Sequence, residues 1–150
     1  MRAVLLCLIV VLISCNHQKA PEENKAMSMV GTWELIATTT IQGDSTTHDD
    51  LTGKRMIKII NDSHFAFLNH DVNNENDSLK VFVARGGKYQ LTGNQYVEFL
   101  EYCNYREWEG NKFEFTVEMR GDTLIQTGIE KVEGLGVDRK IEEVYLKSKD

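Results

Sequence analysis

The segment Tyr96-Val97-Glu98-Phe99-Leu100-Glu101-Tyr102-Cys103 places acids among aromatic and aliphatic residues. Alternation puts Tyr96, Glu98, Leu100 and Tyr102 on one side of a strand and Val97, Phe99, Glu101 and Cys103 on the other. Both faces are therefore mixed, and two readings stand open. If the first set faces inward, Glu98 is a carboxylate removed from water. It then needs a partner such as Arg85, Tyr96 or Tyr145, because an unpaired buried charge is costly. Such a group suits a ligand's polar end, or acid–base work with a raised pKa. If the first set faces outward, Glu98 is simply solvated.

The other reactive residue types form weaker patterns. His48-Asp49-Asp50 has the composition of a loose divalent-cation loop. His64 and His70 share strand parity but are separated by about 20 Å of extended chain, too far for one metal. HExxH and paired CxxC patterns are absent, as are Gly-x-Ser-x-Gly, phosphate-loop and dinucleotide fingerprints. No metal and no cofactor is expected. Cys103 would need a histidine or a cationic setting to be reactive, and otherwise reads as a buried spectator thiol. Glu114, Glu118, Glu142 and Glu143 read as a solvated outer face.

The elements that must carry these residues are strands. From Gly31 onward the hydrophobic period is two. Thr32–Ile41, Arg55–Ile60, His64–Leu68, Leu79–Ala84, Lys88–Leu91, Tyr96–Tyr102, Phe113–Met119, Thr123–Ile129 and Ile141–Lys147 read as eight or nine short strands. Gly, Asn and Asp turns join them, Gly86-Gly87 and Gly134-Leu135-Gly136 included. Asn104–Gly110 has room for one short helix. Spacers long enough for parallel crossovers are missing, so the sheet is expected to be an antiparallel meander. Eight such strands leave exposed edges unless the sheet closes, which predicts an all-β, up-and-down barrel; a β-sandwich is the alternative. The interior is just wide enough to be filled by side chains or to hold one small ligand.

If Trp33 faces inward, so do Leu35, Ala37 and Thr39 by parity. The same rule groups Phe113, Phe115, Val117 and Met119, pairs Phe65 with Phe67, and sets Arg85 beside Leu79, Val81 and Val83. Trp33, Leu35, Phe65, Phe67, Arg85, Tyr96, Glu98, Phe113, Phe115 and Tyr145 are the candidate lining of a ligand cavity. A solid packed core is the other outcome of the same pattern. Burying about 200 Å² of apolar ligand surface is worth about 5 kcal/mol before association costs, which places affinity on the micromolar scale.

Gly31-Thr32-Trp33, at the head of the first strand, resembles the Gly-x-Trp signature of lipocalins and related calycins. The stretches Gly-Thr-Trp-Glu-Leu, Phe-Glu-Phe-Thr-Val and Glu-Glu-Val-Tyr-Leu-Lys are also similar to small lipocalin-like lipoproteins of Bacteroidetes-type bacteria. The resemblance implies that Trp33 plugs one end of a barrel over residues 29–150. It also implies a late-strand base stacked on that ring, for which Arg139 and Lys147 are available.

The N-terminus reads as an address. Arg2 precedes an apolar run, Ala3 to Ile13, too short to span a bilayer and of the length of a signal-peptide core. Leu12-Ile13-Ser14-Cys15 resembles the bacterial lipobox. That resemblance implies a signal peptide over residues 1–14, cleavage before Cys15, and lipidation of the Cys15 thiol and its new amino group. Stable anchoring needs two or more acyl chains. With Cys7 removed and Cys15 modified, Cys103 is left without an intrachain disulfide partner. Residues 15–28 read as a tether with a reach of about 20 Å, Met27, Met29 and Val30 dipping toward the core.

The chain has 23 acidic against 17 basic residues, a formal charge of −6, which disfavours nucleic acid as a partner. The expectation is an exported protein, anchored to a bacterial membrane at its outer-membrane or periplasmic face. It would bind a small apolar or amphipathic ligand and would not be an enzyme. The alternatives are a protein-interaction or envelope-assembly module with a solid core, and an enzyme using Glu98 with Tyr96 or Arg85.

Overall fold

The computed structural model describes residues 27–72 and 80–149. The signal segment, Cys15, most of the tether, and Leu79 lie outside the described residues. Nine antiparallel strands run in chain order: β1 (Gly31–Gln42), β2 (Ser45–His48), β3 (Lys54–Ile60), β4 (His64–Asp71), β5 (Phe82–Thr92), β6 (Gln95–Cys103), β7 (Lys112–Arg120), β8 (Thr123–Val132) and β9 (Val137–Lys147). Each strand from β3 to β9 pairs with its chain neighbour, β1 pairs with β3, and β1–β9 pairing closes the sheet. The result is the expected barrel of eight strands. β2 adds a ninth strand as a short hairpin on the far half of β1. Closure removes the open edges that a meander of half-buried strands would otherwise present.

Two β-bulges re-aim the strands. Between Leu35 and Ala37 the β1–β9 register slips at Ile36. Inward parity therefore passes from Trp33 and Leu35 to Thr38 and Thr40, and the expectation that Ala37 and Thr39 face inward is corrected. The extra residue in β6 is Glu101, since Gly86 opposes Tyr102 while Gly87 opposes Leu100. Tyr96, Glu98 and Leu100 point inward, after which Tyr102 turns outward (67% exposed) and Cys103 turns in.

Gly86-Gly87 is not a turn. Both are buried within the continuous β5, which joins the two strands expected on either side of them. The backbone of β6 crosses so closely that a Cβ on Gly87 would lie 1.9 Å from the Phe99 carbonyl oxygen. Likewise, Phe115 lies over Gly128, where a Cβ would stand 2.4 Å from its ring. These glycines let neighbouring strands curl tightly at that height.

The two ends of the barrel differ. At one end Trp33, Tyr96, Leu124 and Tyr145 are fully buried together with Met29, Ile60 and Val117. Trp33 Nε1 donates to the Met29 carbonyl at 2.8 Å, tying the chain's lead across this floor. Met27 also packs on the core, whereas Val30 is exposed. At the other end the β6–β7 connection holds a short 3-10 turn, Arg106–Trp108, that leans Trp108 over the barrel.

Candidate functional site

Above the floor, the interior is ionic. Lys58 projects from β3 between Met56 and Ile60 and is 1% exposed. Its Nζ donates to Glu98 Oε1 at 2.9 Å and to Gln126 Oε1 at 2.7 Å. The rings of Phe65, Tyr96 and Tyr145 surround the ammonium at 5.2 to 6.0 Å. Gln126 Nε2 then donates to Glu143 Oε2 at 3.3 Å, and the Tyr145 hydroxyl donates to the same oxygen at 2.7 Å. Glu98 is thus the interior carboxylate of the first reading. Its partner is Lys58, not Arg85, Tyr96 or Tyr145.

Glu143 corrects another expectation. It faces inward with Ile141 and Tyr145, whereas Glu114, Glu118 and Glu142 are exposed. Burial pushes its pKa up, the Lys58 charge and the Tyr145 hydrogen bond pull it back, and Glu98 and Glu130 push it up again. Burial also holds the phenols of Tyr96 and Tyr145 well above their ordinary range, reinforced by Glu98 and Glu143 respectively. Both phenols are neutral at any working pH. The Tyr96 hydroxyl is buried with no hydrogen-bond partner among the described residues.

A second ionic layer lies nearer the open end. Glu130 on β8 is shared by two cations. Arg139 Nε donates to its Oε2 at 2.8 Å, and Arg85 Nη1 to its Oε1 at 3.4 Å. The Arg85 guanidinium is stacked on Trp108, 3.9 Å from the ring centre, with Phe67 at 5.4 Å on another side. Trp108 is held in turn by Phe113 at 6.1 Å and by Asn111, whose Nδ2 donates to the Trp108 carbonyl. Arg85 Nε and Asn69 Oδ1 are buried without hydrogen-bond partners among the described residues.

Between the layers is a cavity of about 190 Å³. Lys58, Glu98, Gln126 and Glu143 form its lower side, and Arg85, Glu130, Arg139 and Asn69 its upper side. Met56, Phe67, Leu100, Phe113, Phe115 and Ile141 supply apolar wall, and Thr38, Thr40 and the exposed Asp49 form a rim. Of the ten candidate lining residues, Phe67, Arg85, Glu98, Phe113 and Phe115 border this space. Trp33, Leu35, Phe65, Tyr96 and Tyr145 are packed into the core below it.

Lys58, Gln126, Glu130, Arg139 and Glu143 were missed as site residues. Lys58 sits in Lys54-Arg55-Met56-Ile57-Lys58-Ile59-Ile60, where both alternating faces carry aliphatics and a base, so parity alone cannot choose. Glu143, by contrast, shares its face with Ile141 and Tyr145, and that signal was available. The base above the Trp33 ring is Lys147, with Nζ 5.3 Å from the ring centre; Arg139 belongs to the upper layer.

His48, His64 and His70 do not converge. His48 pairs with Thr39, and His64 and His70 stand at opposite ends of β4. Among the described residues no group of three acids, histidines or cysteines could hold a metal. Cys103 is buried and free. No protein-family model matches the chain, and no curated protein matches it.

Proposed function

We propose that the chain is a noncatalytic binding protein whose barrel receives one small amphipathic molecule between the two ionic layers. The observation that carries this reading is the cavity itself. It is closed below by Trp33, Tyr96 and Tyr145, walled partly by apolar side chains, and bordered by Arg85 and Asn69, each with one buried polar atom unpartnered among the described residues. Buried polar atoms are ordinarily paired, so Arg85 and Asn69, two lining residues that each keep an unpaired one, are where a ligand's polar group gains most. The charged lining favours an amphipathic ligand over a purely apolar one. The volume is below the roughly 300–1,000 Å³ usual for drug-sized ligands, which favours a short molecule over a long acyl chain.

The lipocalin resemblance of Gly31-Thr32-Trp33 is supported by the closed barrel with Trp33 at its floor. The lipobox resemblance around Cys15 is the support for an exported, membrane-anchored protein. Native mass spectrometry of the full chain from its own host tests the binding reading: one small molecule per chain is expected. Its absence, together with failure of any small organic probe to perturb cavity residues, would overturn it.

A second reading rests on the outer wall. Ile59, Leu68, Phe82 and Tyr102 face outward on four neighbouring strands and are 39% to 67% exposed. Such a patch fits a protein-interaction face. A pull-down with the full chain, lost on Leu68→Glu, is the outcome expected of it; a partner retained by that variant would argue against the face.

A further inference from the structure

The cavity's charge and hydrogen-bonding pattern narrow the class of ligand. This inference rests on the binding reading above. Three cations border the space, Lys58, Arg85 and Arg139, together with the carboxylates Glu98, Glu130, Glu143 and, at the rim, Asp49. The carboxylates are unequally engaged. Glu98 serves Lys58 alone, and Glu130 is divided between two guanidiniums. Among the described residues Glu143 accepts hydrogen bonds from the neutral Tyr145 and Gln126, and has no cation in hydrogen-bond contact. In the upper layer two guanidiniums are therefore set against one carboxylate, a local surplus of positive charge.

That surplus is local to Arg85. Among the described residues its only carboxylate contact is the 3.4 Å approach of Nη1 to Glu130, while Arg139 takes the other oxygen of Glu130 at shorter range. Its Nε is buried and has no partner among the described residues. Trp108 and Phe67 fix the plane of the guanidinium, so the Nε edge has a set direction. A guanidinium edge presents parallel N–H donors matched in spacing to the two oxygens of a carboxylate. Asn69, also unpartnered at its Oδ1, offers either an acceptor or, with the amide turned over, a donor.

A cationic ligand here would be repelled by Arg85. A neutral carbonyl would satisfy Nε and leave the charge surplus standing. An anion does both, and its apolar body would meet Met56, Leu100 and Phe113.

We propose that the cavity receives a small carboxylate, its carboxyl group taken by the Arg85 guanidinium and its short apolar body seated against Met56, Leu100 and Phe113.

The chain contains two tryptophans, and they make the test site-specific. Trp108 lies on Arg85 and Trp33 at the sealed floor, so the two indole N–H signals of the ¹⁵N-labelled full chain report separately. Benzoate, benzamide and benzylamine, matched in body and differing in charge, are titrated near pH 7. Benzoate is expected to move the Trp108 signal and leave that of Trp33, binding at least about tenfold more tightly than benzamide; benzylamine should move neither. Arg85→Lys keeps the charge and loses the fork. It should weaken benzoate about tenfold while changing benzamide less than about twofold. Unchanged indole positions in the ligand-free variant would show that it folds.

If benzamide binds as well as benzoate, if benzylamine binds more tightly, or if Arg85→Lys leaves benzoate unchanged, the carboxylate assignment falls and the binding reading stands. If none of the three moves the Trp108 signal, the carboxylate assignment falls, and the binding reading falls with it only if native mass spectrometry also finds no bound molecule.

Discussion

Two layers of buried charge occupy one barrel, and they are built on different rules. In the lower layer Lys58 and Glu98 pair one to one, their side chains 1% and 7% exposed, with Gln126 accepting the ammonium's second hydrogen bond. In the upper layer two guanidiniums share Glu130, one of them is a third exposed, and Arg85 keeps an unused N–H. The residue types are the same, but desolvation and pairing differ. A fully desolvated, fully matched pair acts as a strut that fixes which faces of β3 and β6 point inward, since a one-residue slip would leave both charges unpaired. A partly hydrated and under-matched cluster keeps capacity to bind something else.

The comparison is broken most severely by removing one charge from the strut. Glu98→Ala leaves the Lys58 ammonium buried among Phe65, Tyr96 and Tyr145 and should cost about 3–5 kcal/mol in urea unfolding. Replacing both partners, as Lys58→Met with Glu98→Leu, should recover most of that loss. About 1 kcal/mol should remain, because Gln126 Oε1 loses its donor. A double variant no more stable than the single one would mean that Lys58 and Glu98 are not an energetic pair.

The same operation on the upper layer should hurt less. Glu130→Ala frees two guanidiniums, but Arg139 reaches water and Arg85 retains its stacking on Trp108. A loss of about 1–3 kcal/mol is expected, below that of Glu98→Ala under the same conditions. Equal losses would erase the distinction between strut and cluster.

The contrast between the layers explains how far the sequence could be read. Strand positions, closure and the inward aromatics were legible because β7, with Phe113, Phe115, Val117 and Met119 on one face, obeys strict alternation. The bulges at Ile36 and Glu101 were not, since one extra residue reverses parity without any residue type that announces it. The parity of Ala37, Thr39 and Tyr102 was lost there. The ionic layers were half legible. Glu98 and Arg85 stand out on their own strands, but their partners Lys58 and Glu130 lie 40 and 45 residues away and are joined to them only by the curl of the barrel. Gly86-Gly87 misled because the two reasons for glycine, a turn and a close strand crossing, look identical in one dimension.

Glu143 joins the two layers and should make stability depend on pH. The groups facing it are Lys58 from β3, Glu98 from β6, Gln126 and Glu130 from β8, and Tyr145 beside it on β9. Its folded pKa is raised, so the folded chain binds the proton more tightly than the unfolded chain. Its contribution is fully present below the ordinary carboxylate range and is lost as pH rises toward the raised value. Across that window wild type should lose stability relative to Glu143→Gln, with a difference in slope of at most about 1.4 kcal/mol per pH unit. Parallel curves for the two proteins would show that folding leaves the proton affinity of Glu143 unchanged.

The smallest effect tests the floor, where the comparison with the mouth is one of two cations on two indoles. Arg85 stacks 3.9 Å from the Trp108 ring centre and is mostly buried; Lys147 lies 5.3 Å from that of Trp33 at the exposed end of β9. An exposed ammonium keeps most of its hydration, so its attraction to the ring is worth about 0.5–1 kcal/mol. Lys147→Ala should cost that much and no more, since its backbone N–H still donates to the Asp122 carbonyl. Lys147→Arg should equal or slightly exceed wild type, because a planar, weakly hydrated guanidinium stacks on an indole better than an ammonium does. A loss above about 2 kcal/mol for Lys147→Ala would mean that this base seals the floor and is not merely resting on it.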